Sequence, residues 1–135
     1  MNEIIQRLTK HGISPTHQRV EIAQVLFAKP QHVSAEQVLN IVNNGHAVTS
    51  KATVYNTLGL FARKGLIREV IIDPTKVFYD SNITPHYHFY NEDTGMLGDI
   101  AVSDLDISNL PEPPTGTSTE RVDVIVRVKN QTDLQ

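Results

Sequence analysis

The chain contains no cysteine. That removes disulfides, thiolate zinc sites and cysteine nucleophiles, so any metal site must be built from His, Asp, Glu, Tyr or backbone oxygen. No apolar run approaches the length of a membrane span. The start, Met1-Asn-Glu-Ile-Ile-Gln, lacks the basic segment and apolar core of a signal peptide. A cytoplasmic protein with no membrane partner is the expectation. Strong charge of one sign is missing too, and a formal net charge of −3 does not advertise nucleic-acid binding. Its distribution says more. Residues 1–80 hold nine Lys/Arg against six Asp/Glu, a balance of +3, whereas residues 81–135 hold three against nine, a balance of −6. A basic front and an acidic rear fit a DNA-binding part joined to a part that does not touch DNA, although chance alone can produce such an asymmetry. The 135 residues suffice for one ordinary domain or two small ones sharing an interface.

The first half is punctuated like a helical domain. Residues 2–11 read as a helix with Ile4, Ile5 and Leu8 on one face and Gly12 as its stop. Ser14 with Pro15 behind it suggests the cap and first position of a second helix running to about Ala28, its apolar face Val20, Ala23, Leu26 and Phe27. Ser34-Ala-Glu-Gln37 is a capping box, and the helix it opens carries Val38, Leu39 and Val42 and stops near Asn44-Gly45. Thr49 or Ser50 caps a further helix, Lys51 to Lys64, closed by Gly65, with Val54, Leu58 and Phe61 as its buried stripe. Leu66 to Ile72 and Val77 to Asp80 read as strands around the turn Asp73-Pro74-Thr75-Lys76. Helices followed by a β-hairpin make a winged helix-turn-helix, whose last helix enters the major groove. The outward face of that helix carries Ser50, Lys51, Thr53, Tyr55 and Asn56, which suit base edges and phosphates. A polar helix face that is merely solvated is the competing reading. Arg19, just after a helix start, could grip phosphate or pair with Glu3 or Glu21.

The second half is β-rich. His86 to Asn91 and Met96 to Val102 are candidate strands around Glu92-Asp-Thr-Gly95, and the alternation of Val122, Val124, Val126 and Val128 marks a third. Leu110-Pro-Glu-Pro-Pro-Thr-Gly116 is an extended connector, and Asn130 to Gln135 read as a polar tail. A small sheet of this kind needs its apolar faces and edges covered, for which dimerisation is economical. On a strand, His86 and His88 share one face, with Tyr87 between them turned away. Imidazoles combined with the carboxylates Asp80 and Asp99, and with His32 from the first half, suit manganese, iron or zinc. Two histidines satisfied by hydrogen bonds are the plainer alternative. His11, His17 and His46 read as surface residues.

Six segments carry a resemblance to the ferric uptake regulator family along nearly the whole chain. They are Thr16-His-Gln-Arg19, His32-Val-Ser-Ala-Glu36, Ala52-Thr-Val-Tyr55, Leu58-Gly-Leu-Phe61, Gly65-Leu-Ile67 and His86-Tyr-His88. The resemblance implies an N-terminal winged-helix DNA-binding domain, a C-terminal α/β dimerisation domain and a regulatory metal site made of His32, Asp80, His86, His88 and Asp99. Most members also hold a structural zinc with two C-x-x-C motifs. Here the first position reads Asn91-Glu-Asp-Thr94 and no second motif exists, so that zinc is expected to be absent. The family's helix after the second strand of this domain is interrupted by Pro111, Pro113 and Pro114, and is expected to be shortened or lost. The stretch from His86 to Val126 looks most like the iron response regulator branch, which is linked to haem; His86 and His88 would be its haem-facing residues. The spacing of Asp80 also resembles the peroxide-sensing branch.

The expectation is therefore an α+β protein with a winged-helix domain over residues 1–80 and a small β-rich dimerisation and metal-sensing domain over 81–135. It is expected to act as a homodimeric repressor of iron or related metal homeostasis that binds an AT-rich inverted repeat when a divalent ion is bound. Two alternatives accompany this: a haem-responsive regulator that binds DNA metal-free, and a peroxide-sensing repressor. Two His and a carboxylate also resemble non-haem iron oxygenase sites, but no cofactor motif accompanies them and one ligand would come from a DNA-binding domain. The chain is not expected to be an enzyme. A metalloprotein that uses its ion only to fold is the remaining reading.

Overall fold

A computed structural model describes residues 2–44 and 49–132; Gly45, His46 and the end of the expected polar tail lie outside the described residues. The chain divides into two compact units, Met1–Ile83 and Thr84–Gln135. The elements of the first are α1 (Asn2–Lys10), α2 (His17–Leu26), β1 (His32–Ser34), α3 (Ala35–Val42), α4 (Lys51–Arg63), β2 (Arg68–Asp73) and β3 (Lys76–Asp80). The second contains β4 (Tyr87–Asn91), β5 (Leu97–Ile100), a single 3-10 turn at Val102–Asp104 and β6 (Ile125–Val128). The fold class is α+β, with a winged helix ahead of a small sheet.

The helix signals act as the sequence predicts, with one correction. Ser34 Oγ accepts from Gln37 N at 3.2 Å and Gln37 Oε1 accepts from Ser34 N at 2.9 Å, completing the capping box. Ser50 caps α4 by accepting from Thr53 N at 3.1 Å. The second helix, by contrast, is capped by Thr16, whose hydroxyl accepts from Arg19 N at 3.3 Å, and it ends at Leu26. Ser14 and Pro15 lie ahead of it. The Ser14 carbonyl accepts from Thr16 N at 3.0 Å, so the chain makes a turn there before the helix begins. Gly65, at φ 77°, takes the left-handed conformation that ends α4, and Leu66 N donates back to Phe61 O at 2.9 Å.

The core of the N-terminal unit is continuous. Leu8, Ile22, Leu26, Val38, Val54, Leu58 and Phe61 are fully buried, and Ile67, just ahead of β2, and Val33 and Tyr79 from the strands join the same cluster. One strand was not foreseen. His32–Ser34 pairs antiparallel with β3, giving the sheet order β1-β3-β2. The hairpin turn between β2 and β3 is set by Asp73, whose Oδ1 accepts from Thr75 N and Oγ1 at 2.8 and 2.7 Å; those bonds hold the Asp73 carboxyl below its ordinary pKa.

In the C-terminal unit β4 is central, antiparallel to β5 and parallel to β6. The strands are shorter than expected. β6 covers only Ile125–Val128 because β4 offers it partners only from His88 to Asn91. The expected helix is reduced to the Val102–Asp104 turn, and the proline-bearing segment after it carries no helix.

Candidate metal centre and nucleic-acid face

Each unit brings an imidazole and a carboxylate together. In the N-terminal unit, β1 exists by pairing with β3, and the register sets His32 opposite Asp80. His32 Nε2 stands 3.2 Å from Asp80 Oδ2, with side chains 18% and 3% exposed. Asp80 Oδ1 accepts from Asn82 N at 2.9 Å, which fixes the orientation of the carboxylate.

In the C-terminal unit His88 is opposite Asp99 across β4 and β5. His86 falls one residue ahead of β4 rather than on it. Its ring nevertheless lies on the same side as that of His88, with centroids 4.5 Å apart and planes at 63°. Nδ1 of His86 donates to Thr84 O at 2.7 Å. In a neutral ring that bond leaves Nε2 free of a proton on the side of Asp99, the arrangement a metal-ligating histidine needs. Both Nε2 atoms converge on one oxygen: His86 is 3.6 Å and His88 3.7 Å from Asp99 Oδ1. The two imidazoles are nearly buried while the Asp99 side chain is 56% exposed. Tyr87, between them, is buried against the sheet beside Ile100.

These separations are informative. Ligand atoms about 2.1 Å from one ion stand roughly 3.0–3.5 Å apart. The two imidazole–carboxylate contacts in the C-terminal unit are longer than good hydrogen bonds and near that spacing. A neutral-imidazole and carboxylate donor set fits iron(II), manganese(II) or zinc(II). With no thiolate in the chain, a four-cysteine zinc site has no ligands.

The proposed reading face is partly committed to local structure. On α4, Lys51, Tyr55 and Asn56 are exposed. The Ser50 hydroxyl caps the helix and also donates to Thr53 Oγ1 at 2.9 Å, so both hydroxyls serve the helix start first. Lys51 Nζ lies 5.7 Å from the Tyr55 ring centroid and 3.3 Å from Glu36 Oε1. Arg19 donates to Ser14 O at 3.1 Å rather than pairing with Glu3 or Glu21, and Glu21 faces His17 at 3.1 Å. Two contributors escaped sequence reasoning. In the sequence Glu36 reads only as part of a capping box. Asn43 holds the entry to α4 by donating to Thr49 O at 2.6 Å and accepting from Thr49 N at 2.9 Å; an Asn at a helix end reads as a stop signal, not as a clamp six residues on.

The Ferric uptake regulator family model matches residues 10–123. The chain belongs to that family. Ferric uptake regulator family proteins control transcription in response to metal, and metal-dependent transcriptional regulation is this chain's function. A peroxide-responsive repressor of Staphylococcus epidermidis is 29% identical over 106 residues, covering 78% of this chain and 71% of the relative. The peroxide operon regulator of Bacillus subtilis is 28% identical over 106 residues, covering 78% and 73%. The fold matches that of the ferric uptake regulator of Pseudomonas aeruginosa with manganese, at a TM-score of 0.72 and 24% identity over 94% of this chain and 97% of that one.

Proposed function

We propose that this protein is a homodimeric repressor whose affinity for an AT-rich inverted repeat is set by one divalent ion. His32 and Asp80 from the N-terminal unit would hold that ion together with His86, His88 and Asp99 from the C-terminal unit. The supporting observation is that each unit gathers imidazole and carboxylate atoms at distances near those of ligands sharing an ion. Bound there, a divalent ion supplies ligand bonds to both units at once. His32 and Asp80 anchor the winged helix through β1 and β3, and His86, His88 and Asp99 anchor the sheet through β4 and β5. Sharing ligands selects one arrangement of the two recognition helices from a pre-existing population. A coupling of about 1–3 kcal/mol changes DNA affinity roughly 5–150-fold.

The winged-helix unit reads DNA through α4, with Lys51 on phosphate and Tyr55 and Asn56 toward the bases. The C-terminal unit pairs two copies through its uncovered apolar face, and the protein works in the cytoplasm as a regulator, not an enzyme. Anisotropy of an inverted-repeat duplex tests this. Metal-free protein is titrated first, then protein with manganese(II), with anaerobic iron(II) and with haem. Tightening by either metal, lost in His86→Ala, is the expected result. Binding by metal-free protein that haem releases would reverse the sign and support the haem-responsive alternative.

The named relatives favour one second reading, a peroxide-responsive repressor. In that case His32 or His86 gains oxygen when the iron(II) protein meets peroxide. Peptide mass spectrometry with no added oxygen removes this reading without touching the first.

A further inference from the structure

Asp80 has a neighbour on each side. β3 is the middle strand of its sheet, and Asp80 is in register with His32 of β1 and with Arg68 of β2. Side chains on one antiparallel rung share a face, with Cβ atoms about 4.5–5.5 Å apart. Rung partners in this sheet do interact. His32 reaches Asp80 at 3.2 Å, and on the next rung Glu69, opposite Tyr79, helps to raise the Tyr79 phenol. The arm of Arg68 is longer than such a gap, and the residue is half-buried.

Asp80 is 2% exposed. A carboxylate that deep is costly to keep ionised unless opposite charge and hydrogen bonds surround it. The Asn82 amide supplies one bond. A histidine ready to ligate a metal is neutral and brings no full charge. Arg68 is the permanent cation on that rung.

We infer that Arg68 is the counter-cation of Asp80 when no ion is bound, and that it weakens and so sets metal affinity by competing with the ion for this carboxylate. The inference rests on the metal site proposed above. Two effects act in the same direction. Arg68 stabilises the ion-free state, and linkage subtracts that stabilisation from the binding free energy. It also leaves excess positive charge beside a loaded site whose two carboxylates already neutralise a divalent ion. An outer partner that merely oriented Asp80 would act the opposite way, since removing such a group costs roughly 10–100-fold in affinity.

The test uses the full chain and manganese(II) alone, by calorimetric titration, with thermal unfolding followed with and without the ion. Arg68→Gln is expected to bind manganese roughly tenfold more tightly, a shift set by one charge near the protein surface. Its metal-free melting temperature should fall more than its manganese-loaded one. Arg68→Met keeps the arm's packing without the charge and carries the same expectation, while Arg68→Lys returns affinity to the wild-type value. Weaker or unchanged manganese binding in either neutral variant, folded by circular dichroism, overturns the inference. Failure of the wild-type protein to bind manganese would instead remove the site itself.

Discussion

The two units solve the problem of burying apolar surface in different ways. The N-terminal unit closes a core of its own, in which α1 to α4 and the hairpin all place side chains in one cluster. In the C-terminal unit the buried apolar side chains among the described residues are Tyr87, Tyr90 and Ile100. Phe89, Met96, Val102 and Leu110 there are between 43% and 69% exposed. A three-stranded sheet with so few buried apolar side chains is marginal by itself; exposed apolar side chains do not distinguish the units, since Ile41, Tyr55, Ile71 and Ile83 of the N-terminal unit are exposed as well. The N-terminal unit thus has a closed core of its own, whereas the C-terminal unit buries few apolar side chains among the described residues.

The largest break in this contrast comes from Phe61→Ala. Phe61 is fully exposed to the core and not at all to water, so its loss leaves a cavity worth about 3–5 kcal/mol. Hydrogen exchange should accelerate across residues 2–83 while β4 to β6 keep their protection. Equal loss in both units would show that they fold as one cooperative body, and the contrast would fail.

Phe89→Lys acts on the other side. Phe89 is 43% exposed, in register with Gly98 of β5 and Val126 of β6. The substitution should leave the N-terminal unit's melting unchanged and weaken self-association at least tenfold, as loss of a central interface aromatic does at about 1–2 kcal/mol or more. Sedimentation velocity reads this directly; an unaltered dimer places the interface elsewhere.

A smaller effect sharpens the account of how the thin sheet holds together. Asn91 Nδ2 donates to Asn130 Oδ1 at 2.9 Å, Asn130 N donates to Asp93 Oδ2 at 2.8 Å, and Arg127 meets Glu92 at 3.2 Å. These bonds tie the turn after β4 to the end of β6, in the segment where zinc-holding members of the family place their first C-x-x-C. Asn130→Ala removes one of them and should cost about 0.5–1.5 kcal/mol, seen as fraying of β6 amides with β5 unaffected. A chelator should produce no such fraying.

Legibility followed the same division. The helices of the first unit announce themselves through local chemistry: the Ser34/Gln37 box, the Ser50 cap, and a Val54-Leu58-Phe61 stripe that proves wholly buried. Elements made by long-range pairing do not. β1 is three residues long and exists because β3 offers it partners, so the contact between His32 and Asp80 could be expected only from resemblance. The parallel pairing of β6 with β4, and its short span, depend on sheet geometry that alternating valines do not encode. Spacing did place His86 and His88 on one side, although His86 lies off the strand and is held by its bond to Thr84 instead. The Thr16 cap was missed because Ser14-Pro15 is an equally good helix signature until the turn bond to Ser14 O is known.

The smallest expected effect concerns the rung beside the proposed site. Tyr79 is 7% exposed, and burial first, then the charge of Glu69 and the nearby Tyr55, raise its phenol above its ordinary pKa. Between the unfolded and the folded value, the unfolded chain has lost a proton that the folded one keeps, so stability falls as pH rises through that window. Below the unfolded value the contribution is fully present. Tyr79→Phe removes the titrating group, and its stability should decline less steeply above pH about 10 than that of wild type. Urea midpoints across the alkaline range would show the two curves diverging only there. Parallel curves would mean that Tyr79 keeps an ordinary phenol, and that Glu69 does not reach across its rung. A reach of Arg68 to Asp80 across the next rung would then be less expected.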